Sequence, residues 1–224
     1  MTRADAPPLH AWAATGEATP LPGGACRVGD LVFRTTARDH DAIAWLADIH
    51  ELASRAGFAV PQHIPSVNDR LVERGWTCEQ AIHGRPFTPE EVPQIAGRIA
   101  ILHDLTRRVP QRPGFLSSQG LLQWARSGDI DLDTMPPDLS AACRAAWAPL
   151  SDQPLSIVHG DLTAANLLWC EDGRPGLLGW DQCRRDVMLF DTDEAPNARL
   201  AWQVAARWPH HPHEARRLAE GLTA

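Results

Sequence analysis

The stretch that most constrains this chain is Ile157-Val158-His159-Gly160-Asp161-Leu162-Thr163-Ala164-Ala165-Asn166-Leu167-Leu168-Trp169. β-Branched Ile157 and Val158 read as the end of a strand, Gly160 offers backbone angles closed to other residues, and Leu167 to Trp169 is apolar again. The pattern predicts strand, tight loop, strand. Inside the loop sit Asp161 and, five residues later, Asn166. That pairing suits phosphoryl transfer: a carboxylate orients or deprotonates an attacking hydroxyl, and an amide oxygen holds Mg²⁺ on the phosphates. A plainer reading stays open, because Asp and Asn are ordinary loop residues. The setting argues for chemistry. Glu171-Asp172-Gly173-Arg174 reads as a turn and Gly176 to Gly179 as the returning strand, which ends in Trp180-Asp181 and would carry a second acid back to the loop.

The order His-x-Asp, four residues, Asn matches the catalytic loop of protein kinases, and the spelling His-Gly-Asp resembles more closely the aminoglycoside phosphotransferase and choline kinase group of kinase-like enzymes. Leu21-Pro22-Gly23-Gly24, shortly before the strand Leu31-Val32-Phe33-Arg34, resembles small actinobacterial proteins of this type. The resemblance runs from about Leu21 to Asp191. It implies an α+β, protein-kinase-like two-lobe fold, with a small N-terminal sheet lobe over residues 1–82 and a mainly helical lobe over 83–224. It also implies ATP and Mg²⁺ as cofactors. Asp161 would orient the acceptor hydroxyl, His159 would brace the loop, and Asn166 would bind the metal. Gly23 and Gly24 would bring backbone amides to the phosphates, Arg34 would neutralise them, and the backbone of Glu79 to Ala81 would meet adenine.

Two positions depart from the resembled pattern. Counting from Asn166 and from Asp191 puts Gly179 where the family carries its metal-bridging aspartate. Asp181 lies two residues on. In a regular strand residues two apart point the same way, so Asp181 would approach the same space from about 7 Å along the chain. Arg34 stands where a lysine is usual. It keeps the charge in a planar fork but is not interchangeable with lysine. The chain contains no lysine, so none can act in catalysis.

Before the loop, Leu9 to Ala13 reads as a strand, Gly29-Asp30 as a hairpin turn and Leu31 to Arg34 as a strand. Asp39 to Arg55 is an amphipathic helix with Ile43, Leu46, Ile49 and Leu52 on one face. Asp39, Asp41 and Glu51 are each candidates to pair the strand cation or simply to cap or solvate the helix. Arg70 to Ile82 reads as one long or bent strand before the connector His83-Gly84-Arg85-Pro86. Thr88-Pro89-Glu90-Glu91 is a helix start, and its apolar stripe runs to about Val109. His103 in that helix reads as a packed histidine. Leu116 to Ala125, Leu139 to Leu150, Glu194 to Trp208 and His213 to Leu222 predict further helices; Trp202 and Trp208, with Val204 and Ala205, suit packing, with a wall of a substrate cleft as the other reading. Sheet elements followed by helices give the α+β plan.

The 224 residues suffice for a buried core, and the net charge of −7 argues against a nucleic-acid partner. The five cysteines are scattered without a C-x-x-C, which suits free thiols in a reducing cytoplasm. The first eight residues lack a signal-peptide core, and no apolar run has the length of a membrane span. His210, His211 and His213 flank Pro212 and read as surface. Two functions follow: an ATP-dependent phosphotransferase acting on the hydroxyl of a small molecule, or a silent kinase-like module that binds nucleotide or ligand. A hydrolase built on His159 and Asp161 lacks a placed Ser or Cys nucleophile.

Overall fold

The computed structural model describes residues 6–222, and these divide into two units. One comprises the chain through Thr88 together with Leu167–Leu178, and the other comprises Pro89–Asn166 and Gly179 onward. In the first, strands Thr19–Pro20, Cys26–Val28, Leu31–Thr35 and Trp76–Gln80 form an antiparallel sheet in sequential order. Gly29-Asp30 makes the hairpin turn. Apolar side chains of alternate residues point into one cluster, where Phe33 is fully buried and takes the edge of Trp12, with ring centroids 5.6 Å apart.

The expected strand at Leu9 is instead a 3-10 helix, Leu9–Trp12. Pro7 and Pro8 donate no ladder hydrogen bond, and the buried Trp12 indole N–H finds the Ile64 carbonyl at 2.8 Å. The expected long strand from Arg70 is short for a similar local reason. Asp69 and Arg74 adopt φ of 58° and 50°, and the chain turns twice before Trp76–Gln80 begins. Helix His40–Arg55 matches expectation; the Asp39 carboxylate accepts from the Ala42 N–H at 2.9 Å, and Ile43, Leu46, Ile49 and Ala53 are buried. The hairpin Leu167–Trp169 and Pro175–Leu177 pairs on its other edge with Arg85–Pro86. Phe87 stacks on Trp169 there at 4.5 Å.

In the second unit the helix expected from Thr88 starts as a 3-10 segment, Pro89–Ile95, and becomes α-helical only over Ala96–Thr106. Pro93 lacks the N–H that an α-helical turn would use. The helix expected over Leu116–Ala125 shrinks to Ser118–Leu121. Helices Pro137–Trp147, Pro196–Arg207 and Pro212–Ala219 pack on one another in sequence, and Ala96–Thr106 packs on the antiparallel pair Leu155–Val158 and Arg184–Val187, whose Val158 and Val187 share the core with them. Trp147, Phe190 and Trp202 fill this core; Trp202, Val204 and Ala205 pack as expected, and Trp208 lies half-buried against it. Among the described residues no helix is long and apolar enough to cross a membrane.

A fully buried ion pair, Arg184 with Asp186 at 2.7 Å, lies within that core. The guanidinium sits 3.2 Å from the centroid of the Trp202 ring, and Asp186 also accepts from the Ser118 hydroxyl at 2.7 Å and from the Val187 N–H at 2.9 Å. Removing one partner strands the other charge in the interior. Asp186→Ala is therefore expected to cost about 3–5 kcal/mol in urea unfolding, whereas a change under about 1 kcal/mol would show the pair to be dispensable.

Candidate functional site

Fully buried Ile157 and Val158 anchor the strand that delivers His159, Gly160 and Asp161. Gly160 turns the chain at φ +81°, and a Cβ there would fall 2.7 Å from Arg184 Nη1 and 2.9 Å from the Gln182 carbonyl. Only glycine satisfies both demands. His159 is buried, its ring edge-on to Trp180 at 4.9 Å, and its Nδ1 accepts the Asp161 N–H at 3.3 Å.

Asp191 fixes the same loop from behind. Its fully buried carboxylate accepts from the His159 N–H at 2.9 Å, the Gly160 N–H at 2.9 Å and the His103 ring at 3.0 Å. Burial by itself would push this carboxyl up. The His103 hydrogen bond, the neighbouring His103 and His159 rings and the Gly160 amide outweigh that and hold it below the usual range. His103 is thus a bonded partner of the loop rather than mere packing. No local signal announces this, because it lies 88 residues from Asp191.

Asn166 closes a short 3-10 turn, Ala164–Asn166. Its Nδ2 donates to the Asp161 carbonyl at 2.8 Å and to Asp161 Oδ2 at 2.9 Å. Its Oδ1 faces Gly179, where a Cβ would lie 2.3 Å from it. Asp161 and Asn166 are therefore brought together. Asp181 is placed differently from the sequence expectation. The returning strand ends at Leu177, Gly179 is left-handed at φ +74°, and Trp180–Gln182 is a 3-10 turn. The alternation that would have aimed Asp181 at the loop does not apply, and Asp181 is exposed. Its carbonyl, like those of Trp180 and Cys183, is held by the buried Arg112 guanidinium at 3.1–3.4 Å. Sequence reading missed Arg112 because it contacts only backbone there.

A Mg²⁺ held on substrate phosphates asks the protein for one or two side-chain oxygens, a carboxylate among them. The one amide oxygen in place, Asn166 Oδ1, packs on Gly179, and the Asp161 carboxylate is bonded to Asn166 Nδ2. These residues do not fit the metal that the fold family implies.

In the other unit Arg34 is partly exposed, and its Nε donates to Glu79 Oε2 at 3.2 Å. The partner acid thus comes from the neighbouring strand. Asp39 caps its helix, and Asp41 and Glu51 are exposed. The Ala81 N–H donates to the Asp30 carbonyl at 2.8 Å, so that amide is already engaged, and Glu79 contributes its carboxylate to Arg34. Gly23 and Gly24 lie in an exposed turn, Pro22–Gly24, at φ 73° and 76°.

The sequence matches the model of the phosphotransferase enzyme family over residues 24–221. Solved structures of similar fold include an amicoumacin kinase, hAmiN, in complex with AMP-PNP, Ca²⁺ and Ami. It aligns at a TM-score of 0.61 and 14% identity, over 95% of this chain and 72% of that one. A microcompartment-associated aminopropanol kinase aligns at 0.56 and 16% identity, over 96% and 79%. An aminoglycoside phosphotransferase from Alicyclobacillus acidocaldarius subsp. acidocaldarius DSM 446 aligns at 0.56 and 14% identity, over 95% and 76%. No curated protein matches the sequence. The fold is the expected α+β, kinase-like one, with a sheet-bearing N-terminal lobe and a largely helical C-terminal lobe.

The Asp191 bonds set an acid limit on stability. A carboxyl depressed in the folded state contributes stability that is present above its unfolded pKa of about 3.9 and is lost as pH falls through the lower folded value. Urea midpoints measured from pH 7 downward should drop steeply below pH ~4 in the wild type. Asp191→Asn should be less stable at neutral pH by about 1–3 kcal/mol and have a flatter acid limb. Parallel acid limbs would assign the loss to other carboxylates.

Proposed function

Because this chain belongs to the phosphotransferase enzyme family, we propose that it transfers the terminal phosphate of ATP to a hydroxyl group of a small molecule. The observation that carries this is the fixing of Asp161. Its N–H is held by His159, its carbonyl and carboxylate by Asn166, and the preceding amides by Asp191. A loop aspartate with no task has no need of so many independent restraints. Positioning is most of what phosphoryl transfer asks of a protein. Asp161 accepts a hydrogen bond from the acceptor O–H and takes its proton as the new O–P bond forms and the bond to the ADP oxygen breaks. His159 moves no proton; it holds the turn.

Arg34 is the proposed cation for phosphate charge, its guanidinium steadied by Glu79. Gly23 and Gly24 are the proposed backbone contacts, and adenine would meet groups of the Glu79–Ala81 segment other than the Ala81 amide. The acceptor is a hydroxylated metabolite or antibiotic. The unpaired cysteines suit a cytoplasmic setting. One observation favours a second reading, a silent module that keeps the fold for binding: glycine at 179, against Asn166, in place of a carboxylate.

The test is phosphorus NMR of ATP with a panel of hydroxylated acceptors. The wild type is expected to form a phosphate monoester. Asp161→Asn should lower that rate by about 100-fold or more while ATP affinity changes less than about threefold. Bound ATP without product across the panel would favour the silent module, and full turnover by the variant would remove Asp161 from the mechanism.

A further inference from the structure

An asparagine side chain has two different ends, and the surroundings of Asn166 fix which end faces which way. Both groups bonded to its nitrogen, the Asp161 carbonyl at 2.8 Å and Asp161 Oδ2 at 2.9 Å, are acceptors. Turning the amide over would set oxygen against two oxygens, so the N–H groups must face Asp161. The remaining atom, Oδ1, is the one a cation would need. It faces Gly179, where a Cβ would be 2.3 Å from Oδ1, 2.6 Å from Cγ and 2.9 Å from Nδ2. Those distances span the whole carboxamide. Gly179 is the seat of Asn166, at a φ of +74° that a side chain disfavours.

A carboxylate at 179 and the Asn166 brace on Asp161 therefore exclude each other in this backbone. Asp181, two residues on, is exposed in the 3-10 turn Trp180–Gln182 rather than on the strand that faces Asn166. We propose that Asn166 is a positioning residue for Asp161, acting through its N–H groups, and that it is not a ligand for a divalent cation. This rests on the phosphotransferase reading for its kinetic consequence alone. The bonding itself is independent of turnover.

Asn166→Asp separates the two roles, because it keeps an oxygen in place but removes the donors and sets a second carboxylate beside Asp161. Asn166→Ala removes both. ATP affinity is measured for the full chain and both variants, in excess Mg²⁺ and in EDTA. The expected ratio of the two affinities is the same in all three proteins within about threefold. With an active acceptor, kcat should fall about 100-fold or more in both variants, while KM for ATP moves less than about threefold. A Mg²⁺ enhancement that Asn166→Ala loses about tenfold and Asn166→Asp retains would overturn the assignment. If no acceptor turns over, the phosphotransferase reading fails and the affinity ratios still decide the role of Asn166. If ATP does not bind, hydrogen exchange of the Asp161 amide decides it. The positioning role predicts a loss of protection of about tenfold in both variants, with the wild type indifferent to Mg²⁺. Protection that rises about tenfold on adding Mg²⁺ would overturn the role.

Discussion

Asp191 carries a charge into the interior of the helical unit, and two consecutive backbone amides, those of His159 and Gly160, receive it together with the His103 ring. A buried carboxylate is costly unless its oxygens are satisfied. Here the donors that satisfy it are the amides of the turn that must be held. Desolvation penalises the ion, and the His103 bond and the turn amides more than offset that penalty. The turn is consequently tied to the core beneath it, and Asp161, which follows directly, is positioned from that anchor. His159 and Asn166 then refine the position of Asp161 rather than create it.

Close contacts at two glycines complete the arrangement. Gly160 admits the Arg184 guanidinium beneath the turn, and Gly179 admits the carboxamide of Asn166. The Arg184–Asp186 pair ties the same layer to Ser118. The candidate site is thus an aspartate held by hydrogen bonds from its own loop, with glycine rather than a carboxylate at 179 against Asn166. On the proposed reading, such a site relies on orientation at the acceptor side, and its response to divalent cations becomes a question about Asn166.

Short-range features were legible in the sequence. The Gly29-Asp30 hairpin, the Asp39-capped helix and the strand–loop–strand around Asp161 each rest on residues within one turn of one another, where propensity and periodicity act. What was missed depends on contacts across the chain or on backbone detail. His103 and Asp191 meet across 88 positions, Glu79 reaches Arg34 across a strand pair, and Arg112 grips carbonyl oxygens, which leave no trace in side-chain identity. The displacement of Asp181 was missed because strand alternation was extended past Leu177, where the left-handed Gly179 ends it. Pro93 in the helix and the left-handed Arg74 before Trp76 shortened predicted elements in the same local way.

The dependence of the loop on Asp191 can be measured directly by native-state hydrogen exchange at the His159 and Gly160 amides. These protons are held by a fully buried carboxylate, so in the wild type they should exchange only through openings as costly as those of the surrounding core strand. Replacing the carboxylate by the amide in Asp191→Asn should accelerate both by about 100-fold and leave Ile157, deeper in the strand, shifted only by the global loss of stability. Equal acceleration at all three positions would mean that Asp191 contributes to overall stability alone. Unchanged exchange at Gly160 would mean that the loop holds its shape without Asp191, contradicting the dependence on that buried carboxylate.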